Sequence, residues 1–511
     1  MTTSISPAAP AAEVSAEHAQ TSSQGSASQV TRRRHTLASR LAFLVICLEI
    51  VLTTLAYGTV HNWALAFFAV SAVALVCLWA LDGFVLRSVQ IPVNPLQWPL
   101  IGMLVVGAIQ LLPFRTHDNG GLPFAPVRSL SLDPYATRLV ILQVGMLVIF
   151  FLATTIFVDS PRRLKALVRT IAIFGFLLAV FGLTQSFTSD GSRVYWFRQL
   201  TQSTAFGPFI NRHHFAGYME LALAIPLGLL LTGAVESYKR PLYAFAAVVM
   251  AMSLVATNSR GGILSLGGEL FFVLLVASFS WGKKKDQSRS QRVRGAVVRA
   301  ALALGLVIVL VGGAVAISGP EVFTRFLGTP IAEDPSTGRS HFWSVTVDVI
   351  KAYPFMGSGL GSFSVIYTRY DTRNGLYRLE QVHNDYLQTL SDAGIIGGLI
   401  GLAFIVILFT RGFARRETHD KFRRGVSTGA LAGCFAVLIH SFFDFTLHTT
   451  ANALLFLVLA ALVTQDARVN TTYQMQRPRR RRRRSRSREE ERTPEESGSP
   501  QLVKTGEIAS S

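Results

Sequence analysis

Five short polar clusters interrupt the apolar runs of this chain, and they hold the residue types that could do chemistry. They are Asn211-Arg-His-His-Phe-Ala-Gly-Tyr, Thr257-Asn-Ser-Arg-Gly-Gly, Gly338-Arg-Ser-His-Phe-Trp, His383-Asn-Asp-Tyr and His440-Ser-Phe-Phe-Asp-Phe-Thr-Leu-His. Arginine suits a diphosphate, because its planar fork stays charged and donates paired hydrogen bonds to phosphate oxygens. Arg212, Arg260 and Arg339 are the candidates. The competing reading is that boundary arginines snorkel to lipid headgroups; Arg260, in a Ser-Arg-Gly-Gly turn, is too constrained for that. His383 can accept a proton near neutral pH, which is what a hydroxyl nucleophile requires. Asp385, Asp392 and Asp444 could orient a histidine or bind hydroxyls, and helix capping is an equal role for Asp385. His213, His214, His341, His440 and His448 read first as structural histidines. No His/Asp/Glu spacing matches a metal site, so no required metal is expected.

The elements that must position these clusters are membrane spans. A run of about 20 helical residues crosses the hydrocarbon core, and the chain offers about 12 such runs by that criterion. Their limits are 40–58, 63–82, 97–113, 138–158, 166–186, 213–233, 241–257, 261–280, 299–318, 393–411, 426–446 and 450–465. The expected fold is therefore all-α, a polytopic transmembrane bundle with a large helical periplasmic loop between spans nine and ten. With the N-terminus in the cytoplasm beside Arg32, Arg33, Arg34 and Arg40, the even-numbered loops should be basic. Arg162, Arg163 and Lys165, then Lys239-Arg240, then Lys283-Lys-Lys, then Arg411 to Arg424, and finally the Arg-rich C-terminus agree. All five polar clusters then lie on or near the opposite face. Three loops on that face are long: 114–137, 187–212 and 319–392. Within the last, Phe342, Val345, Val349 and Ile350 recur at helical spacing from Arg339 onward. Tyr353-Pro354 ends that helix, Gly357, Gly359 and Gly361 make a tight turn, and Gln381 to Leu390 reads as a second helix running into span ten.

Composition excludes most soluble classes. Half of the 511 residues are hydrophobic and only 15% are charged, against about 25% in a soluble domain. The net charge of +19 would suggest nucleic acid in a soluble protein. Here much of it lies in Arg477 and Arg479 to Arg484, a like-charge block without aromatic interleaving that suits lipid headgroups and not nucleic acid. Residues 1–38 and 466–511 are expected to be disordered cytoplasmic tails, with the transmembrane domain over 39–465. Cys47, Cys77 and Cys434 are far apart inside apolar runs and suggest no disulfide framework.

Several of these residues are similar to the pattern of the O-antigen ligase family. His383-Asn384, nine residues, Gly394, two residues, Gly397 carries the resemblance. So do Asn211-Arg212-His213-His214-Phe215-Ala216 before a Pro226-containing span, Ser259-Arg260-Gly261-Gly262, Arg339 and Trp343 before Tyr353-Pro354-Phe355, and His440-Ser-Phe-Phe-Asp444 with Asn452. It covers residues 210–465; the family often carries Asn where His213 stands. The resemblance implies an inverting, metal-independent glycosyltransferase without cofactors in the bacterial inner membrane, with both termini cytoplasmic and its active site periplasmic. The implied donor is a glycan on undecaprenyl diphosphate, and the acceptor a lipid A–core sugar or related glycolipid or glycan. By this resemblance His383 would activate the acceptor hydroxyl and Arg260 would hold the diphosphate. Arg212 and Arg339 would assist, with Asn384, Asp385, His214 and Asp444 as substrate-binding candidates.

A polysaccharide polymerase or protein O-oligosaccharyltransferase would use the same donor and remains open. A lipid-linked glycan transporter suits the span count, but transporters place ionisable residues or broken helices near the midplane. Here polar residues collect at one boundary. A non-catalytic scaffold would need none of the clusters.

Overall fold

The computed structural model describes residues 35–113, 129–200, 203–281, 339–373, 379–415 and 420–464. Thirteen α-helices run through them: α1 Leu37–Leu55, α2 Asn62–Leu86, α3 Gln97–Gln110, α4 Pro134–Phe157, α5 Pro161–Thr188, α6 Arg212–Leu231, α7 Arg240–Ala256, α8 Arg260–Trp281, α9 Arg339–Ala352, α10 Phe363–Tyr370, α11 Asp385–Arg415, α12 Lys421–His440 and α13 Thr450–Thr464. A two-residue hairpin, β1 Arg193–Val194 with antiparallel β2 Arg198–Gln199, follows α5. Polar caps set where the apolar runs become helices. Asp133 accepts from the backbone N–H of Tyr135 and Ala136 ahead of α4, Asn211 from that of His213 ahead of α6, and Asp420 from that of Phe422 ahead of α12. Each satisfies N–H groups that the helix itself leaves open.

Among the described residues, eight helices are long and apolar enough to cross a membrane: α1, α2, α4, α5, α6, α7 with its preceding turn, α11 and α12. Helices α3 and α13 are apolar but shorter, and α8 covers the expected range 261–280. The span expected at 299–318 and the Arg-rich tail lie outside the described residues. The helix expected over Gln381 to Leu390 does run into the tenth span, but it starts at Asp385 and not at Gln381. One helix, α11, begins at Asp385 and runs to Arg415, with a kink at Gly394.

At the centre α6 packs against α12 through small residues. Gly425, Gly429 and Gly433 recur every four residues on α12. A Cβ on Gly429 would fall 2.3 Å from the carbonyl oxygen of Ala224, and one on Gly228 would fall 2.4 Å from that of Gly425. Such backbone-to-backbone contact is how helices gain van der Waals energy where no hydrophobic effect separates helix from lipid. Every residue of α13 is buried, and Asn452 on it donates to the carbonyl of His214 at 3.0 Å.

The segment after α9 is locked to the kink of α11. Gly357 has φ 71° and Gly394 has φ 63° with ψ −163°, a conformation open essentially to glycine alone. The backbone N–H of Ser358 donates to Ser391 at 2.8 Å and that of Ile395 to Pro354 at 2.8 Å. Gln110 of α3 clamps the turn. Its amide nitrogen donates to the carbonyls of Met356 and Asp392, and its oxygen accepts from the N–H of Leu360 at 2.9 Å. Burial of α9 and α10 under this clamp produces a small core of Phe342, Val345, Phe363, Tyr367, Leu379 and Val382.

A Cβ at Gly394 would lie 2.3 Å from the carbonyl oxygen of Phe355, whereas one at Gly401, on the same helix, would meet nothing within 4 Å. Gly394→Ala is therefore expected to lower the Tm of the detergent-solubilised protein by several degrees, since clash adds to a backbone cost of about 1–3 kcal/mol. Gly401→Ala should leave it unchanged. A thermal-unfolding scan of both variants checks this, and equal Tm values would refute the clamp.

Candidate active site

Four helix N-termini meet around one buried carboxylate. Arg212 opens α6, Arg260 opens α8, Arg339 opens α9 and Asp385 opens α11. The carboxylate is Asp444, in the turn that follows α12, with 1% of its side chain exposed. Its Oδ1 accepts from Nδ1 of His383 at 3.3 Å and from the backbone N–H of Phe445 at 2.9 Å. Its Oδ2 accepts from the Arg339 guanidinium at 3.3 Å, and Nδ1 of His213 lies 3.8 Å from the same oxygen. Burial alone would push this carboxyl up. The hydrogen bond from His383 and the charge of Arg339 outweigh it and hold Asp444 well below the usual carboxylate range, so it is an anion.

His383 is held from both sides. Its backbone is left-handed, with φ 57°, at a cost of about 1–2 kcal/mol for a residue with a Cβ. Asn384 follows as the cap of α11, accepting from the N–H of Tyr386 and Leu387 at 3.0 Å each while donating to the carbonyl of Phe442 at 3.1 Å. The imidazole stands edge-on to Phe445, ring centres 4.8 Å apart. About a quarter of the side chain, 26%, stays exposed, so a substrate can reach it.

A second His–Asp pair crosses the first. Asp385 does not cap α11; Asn384 does. Asp385 accepts from Nδ1 of His448 at 2.8 Å and from the Ser441 hydroxyl at 2.7 Å. Burial would lower His448, but the hydrogen bond to Asp385 dominates and raises it, favouring the imidazolium. The segment 383–385 is thus bound to 441–448 in both directions, His383 to Asp444 and Asp385 to His448.

Beneath the carboxylate runs a file of polar groups that includes His213 and His440, two histidines whose first reading is structural. Nδ1 of His213 lies 2.8 Å from the Ser259 hydroxyl, which lies 3.4 Å from Nε2 of His440, whose Nδ1 lies 2.7 Å from Glu220. Ser259 also caps α8, accepting from the N–H of Gly262 at 3.1 Å. Gly261 permits this approach, since a Cβ there would fall 2.7 Å from the His440 ring. Donor atoms of His213, His440 and Asp444 lie within 4.8 Å of one another. The Arg339 guanidinium on the same carboxylate opposes a second cation among them. These donors come from two distant segments, His213 from one and His440 with Asp444 from the other, so the chain shows no complete metal-ligand motif.

The sequence candidates separate accordingly. His383, Asp444 and Arg339 are in direct contact, and Asn384 and Asp385 hold the two segments together. Arg260 directly follows Ser259 and is exposed, and Arg212 directly precedes His213 and is half-buried, so both start from the rim of the cluster. His214 instead is buried, with its ring edge against Phe445 at 4.8 Å. The neighbouring His213 is the one that reaches Asp444. His213, Ser259, His440 and Glu220 were the residues missed. His213 and Ser259 adjoin Arg212 and Arg260, and His440 lies four residues before Asp444, whereas Glu220 carries no such local signal.

No curated protein matches the chain. Residues 245–401 match the family model described as O-Antigen ligase, a stretch from within α7 to within α11 that contains Ser259, Arg260, Arg339 and His383. The matched stretch lies inside the region 210–465 that carries the motif resemblance, so over residues 245–401 the chain is similar to the O-antigen ligase family.

Proposed function

We propose that this membrane protein is a ligase-type glycosyltransferase that moves a glycan from undecaprenyl diphosphate to a hydroxyl of a lipid A–core or related acceptor at the periplasmic membrane face. The observation that carries the reading is the convergence of three arginine-headed helix N-termini, those of α6, α8 and α9, on a histidine–carboxylate pair. Helix N-termini and guanidiniums both stabilise anions, and a diphosphate leaving group develops charge as its bond to the sugar breaks. Arg339 spends one of its five N–H donors on Asp444 at 3.3 Å, which leaves others for phosphate oxygens.

In this mechanism the acceptor hydroxyl oxygen attacks the anomeric carbon from the face opposite the diphosphate. The new C–O bond forms as the bond from that carbon to the phosphate oxygen breaks, and configuration inverts. The hydroxyl proton passes to Nε2 of His383. Asp444, on Nδ1 at 3.3 Å, holds the tautomer that leaves Nε2 free and stabilises the imidazolium that results. Arg260, Arg212 and Arg339 take up the negative charge on undecaprenyl diphosphate. No metal, cofactor or nucleotide sugar enters the scheme. The basic loops on the opposite face support cytoplasmic termini.

Full-length protein reconstituted with a lipid-linked oligosaccharide and membrane glycolipid acceptors tests the reading. His383→Ala is expected to insert normally and to lower transfer by about 10²–10⁴-fold, the range for loss of a general base; undiminished transfer would remove the base from the scheme. Arg260→Ala should cost about 10²–10³-fold, as for loss of one charge-stabilising donor, with Arg260→Lys recovering part of it. Transfer indifferent to both Arg260 variants would remove the diphosphate clamp. The lengths of glycans made with and without the protein separate the ligase from a polymerase on the same donor.

A further inference from the structure

Asp444 serves two imidazoles, one on each oxygen. His383 approaches Oδ1 through its Nδ1 at 3.3 Å, and His213 approaches Oδ2 through its Nδ1 at 3.8 Å. Both side chains are partly exposed, 26% for His383 and 22% for His213, while the carboxylate between them is closed off at 1%. The first imidazole is absorbed by the mechanism above; the second is not.

The file below His213 directs where its proton sits. Glu220 lies 2.7 Å from Nδ1 of His440 and places a proton on that nitrogen. Nε2 of His440 lies 3.4 Å from the Ser259 hydroxyl. The Ser259 oxygen accepts from the N–H of Gly262 at 3.1 Å and lies 2.8 Å from Nδ1 of His213. The Asp444 carboxylate, which can only accept, favours the proton on the same His213 nitrogen. A neutral His213 protonated at Nδ1 has a lone pair on Nε2.

We propose that His213 is a second substrate-binding histidine, whose Nε2 accepts a hydrogen bond from a neighbouring hydroxyl of the acceptor while His383 takes the proton of the attacking one. The acceptor class this fits is a polyol, a sugar ring offering two hydroxyls to two imidazoles that share one carboxylate. The inference deepens the transfer reading and rests on it for the identity of the ligand. His440, Ser259 and Glu220 act through His213 as positioning residues. The carboxylate also makes the two imidazoles unequal in use, because one imidazolium beside Asp444 and Arg339 disfavours a second. One histidine thus works as the base while the other stays a hydrogen-bond acceptor.

Two measurements test this on the full-length protein in lipid nanodiscs or proteoliposomes. The first needs no substrate: nitrogen-15 histidine NMR, with His213 assigned by its loss in His213→Ala. It should show His213 protonated at Nδ1 and unprotonated at Nε2, and Glu220→Gln, which can present a donor to His440, should change that pattern. A proton on Nε2 of wild-type His213 would overturn the inference even if the transfer reading holds. The second is transfer from a lipid-linked oligosaccharide to the membrane glycolipid fraction. His213→Ala should raise the acceptor concentration needed for half-maximal rate about 10-fold or more, the scale of losing one hydrogen bond to a buried polar site, with the donor requirement unchanged. His213→Asn, which retains an acceptor atom, should restore most of it. A shift in the donor requirement instead, or equal behaviour of the two variants, would refute the acceptor role. No transfer by wild type with either variant would sink the function reading, leaving the NMR result to decide the tautomer.

Discussion

A buried anion must be compensated, and in this protein the compensation of Asp444 organises everything around it. An isolated carboxylate in a low-dielectric site costs several kcal/mol even after relaxation. Asp444 meets that cost with Arg339, His383, His213 and the N–H of Phe445. Each partner comes from a different segment: the start of α9, the residue pair before α11, the first turn of α6, and the turn after α12. Those segments cannot separate without leaving charge unpaired in the interior, so the carboxylate fixes their mutual positions. The crossed pair of Asp385 and His448 repeats the device within a few residues.

The supporting frame is built to permit this approach. Backbone contact between α6 and α12 at Gly228, Gly425 and Gly429 fixes the two helices against each other at the ends remote from the site. Gly261 lets α8 come against the His440 ring. On the other flank the kink at Gly394 and the turn at Gly357 interlock, with Gln110 bonded across both. These contacts lie away from the chemistry, yet they decide whether His383 sits on Asp444 or beside it. A hydrogen bond at 3.3 Å is sensitive to shifts of a few tenths of an ångström.

The site gathers two kinds of group on one carboxylate, since the guanidinium of Arg339 and the imidazoles of His383 and His213 all approach Asp444. In the proposed transfer a lipid diphosphate leaving group calls for the first kind and a hydroxyl proton for the second. The O-antigen ligase match over residues 245–401 covers His383, Arg260 and Arg339, whereas Asp444, which contacts His383 and Arg339, lies further along the chain.

Much of the architecture could be read from the chain because its cause is local. An apolar run of helical length must become a buried or membrane-facing helix, and Pro, Gly and capping residues mark its ends, so every expected span within the described residues falls on a helix. The helix from Arg339 was legible for the same reason, and His383 and Asp444, which the fold brings into contact, stand out as polar residues among apolar ones. The misreadings have a different cause. Gln381 to Asn384 resembles helix by periodicity, but His383 takes a left-handed conformation and Asn384 caps, because tertiary bonds to 441–444 outweigh propensity. His213 and His214 are indistinguishable in sequence, and only the packing of α6 against Phe445 and Asp444 decides which faces the site. The file from Glu220 to His440, Ser259 and His213 joins residues as far as 220 positions apart. Hydrogen bonds of that separation leave no periodicity or spacing in the chain, since they depend on where folded helices come to rest. The sequence by itself determined the helices and the residue types at their outer ends; the tertiary structure decided which of those residues share a charge.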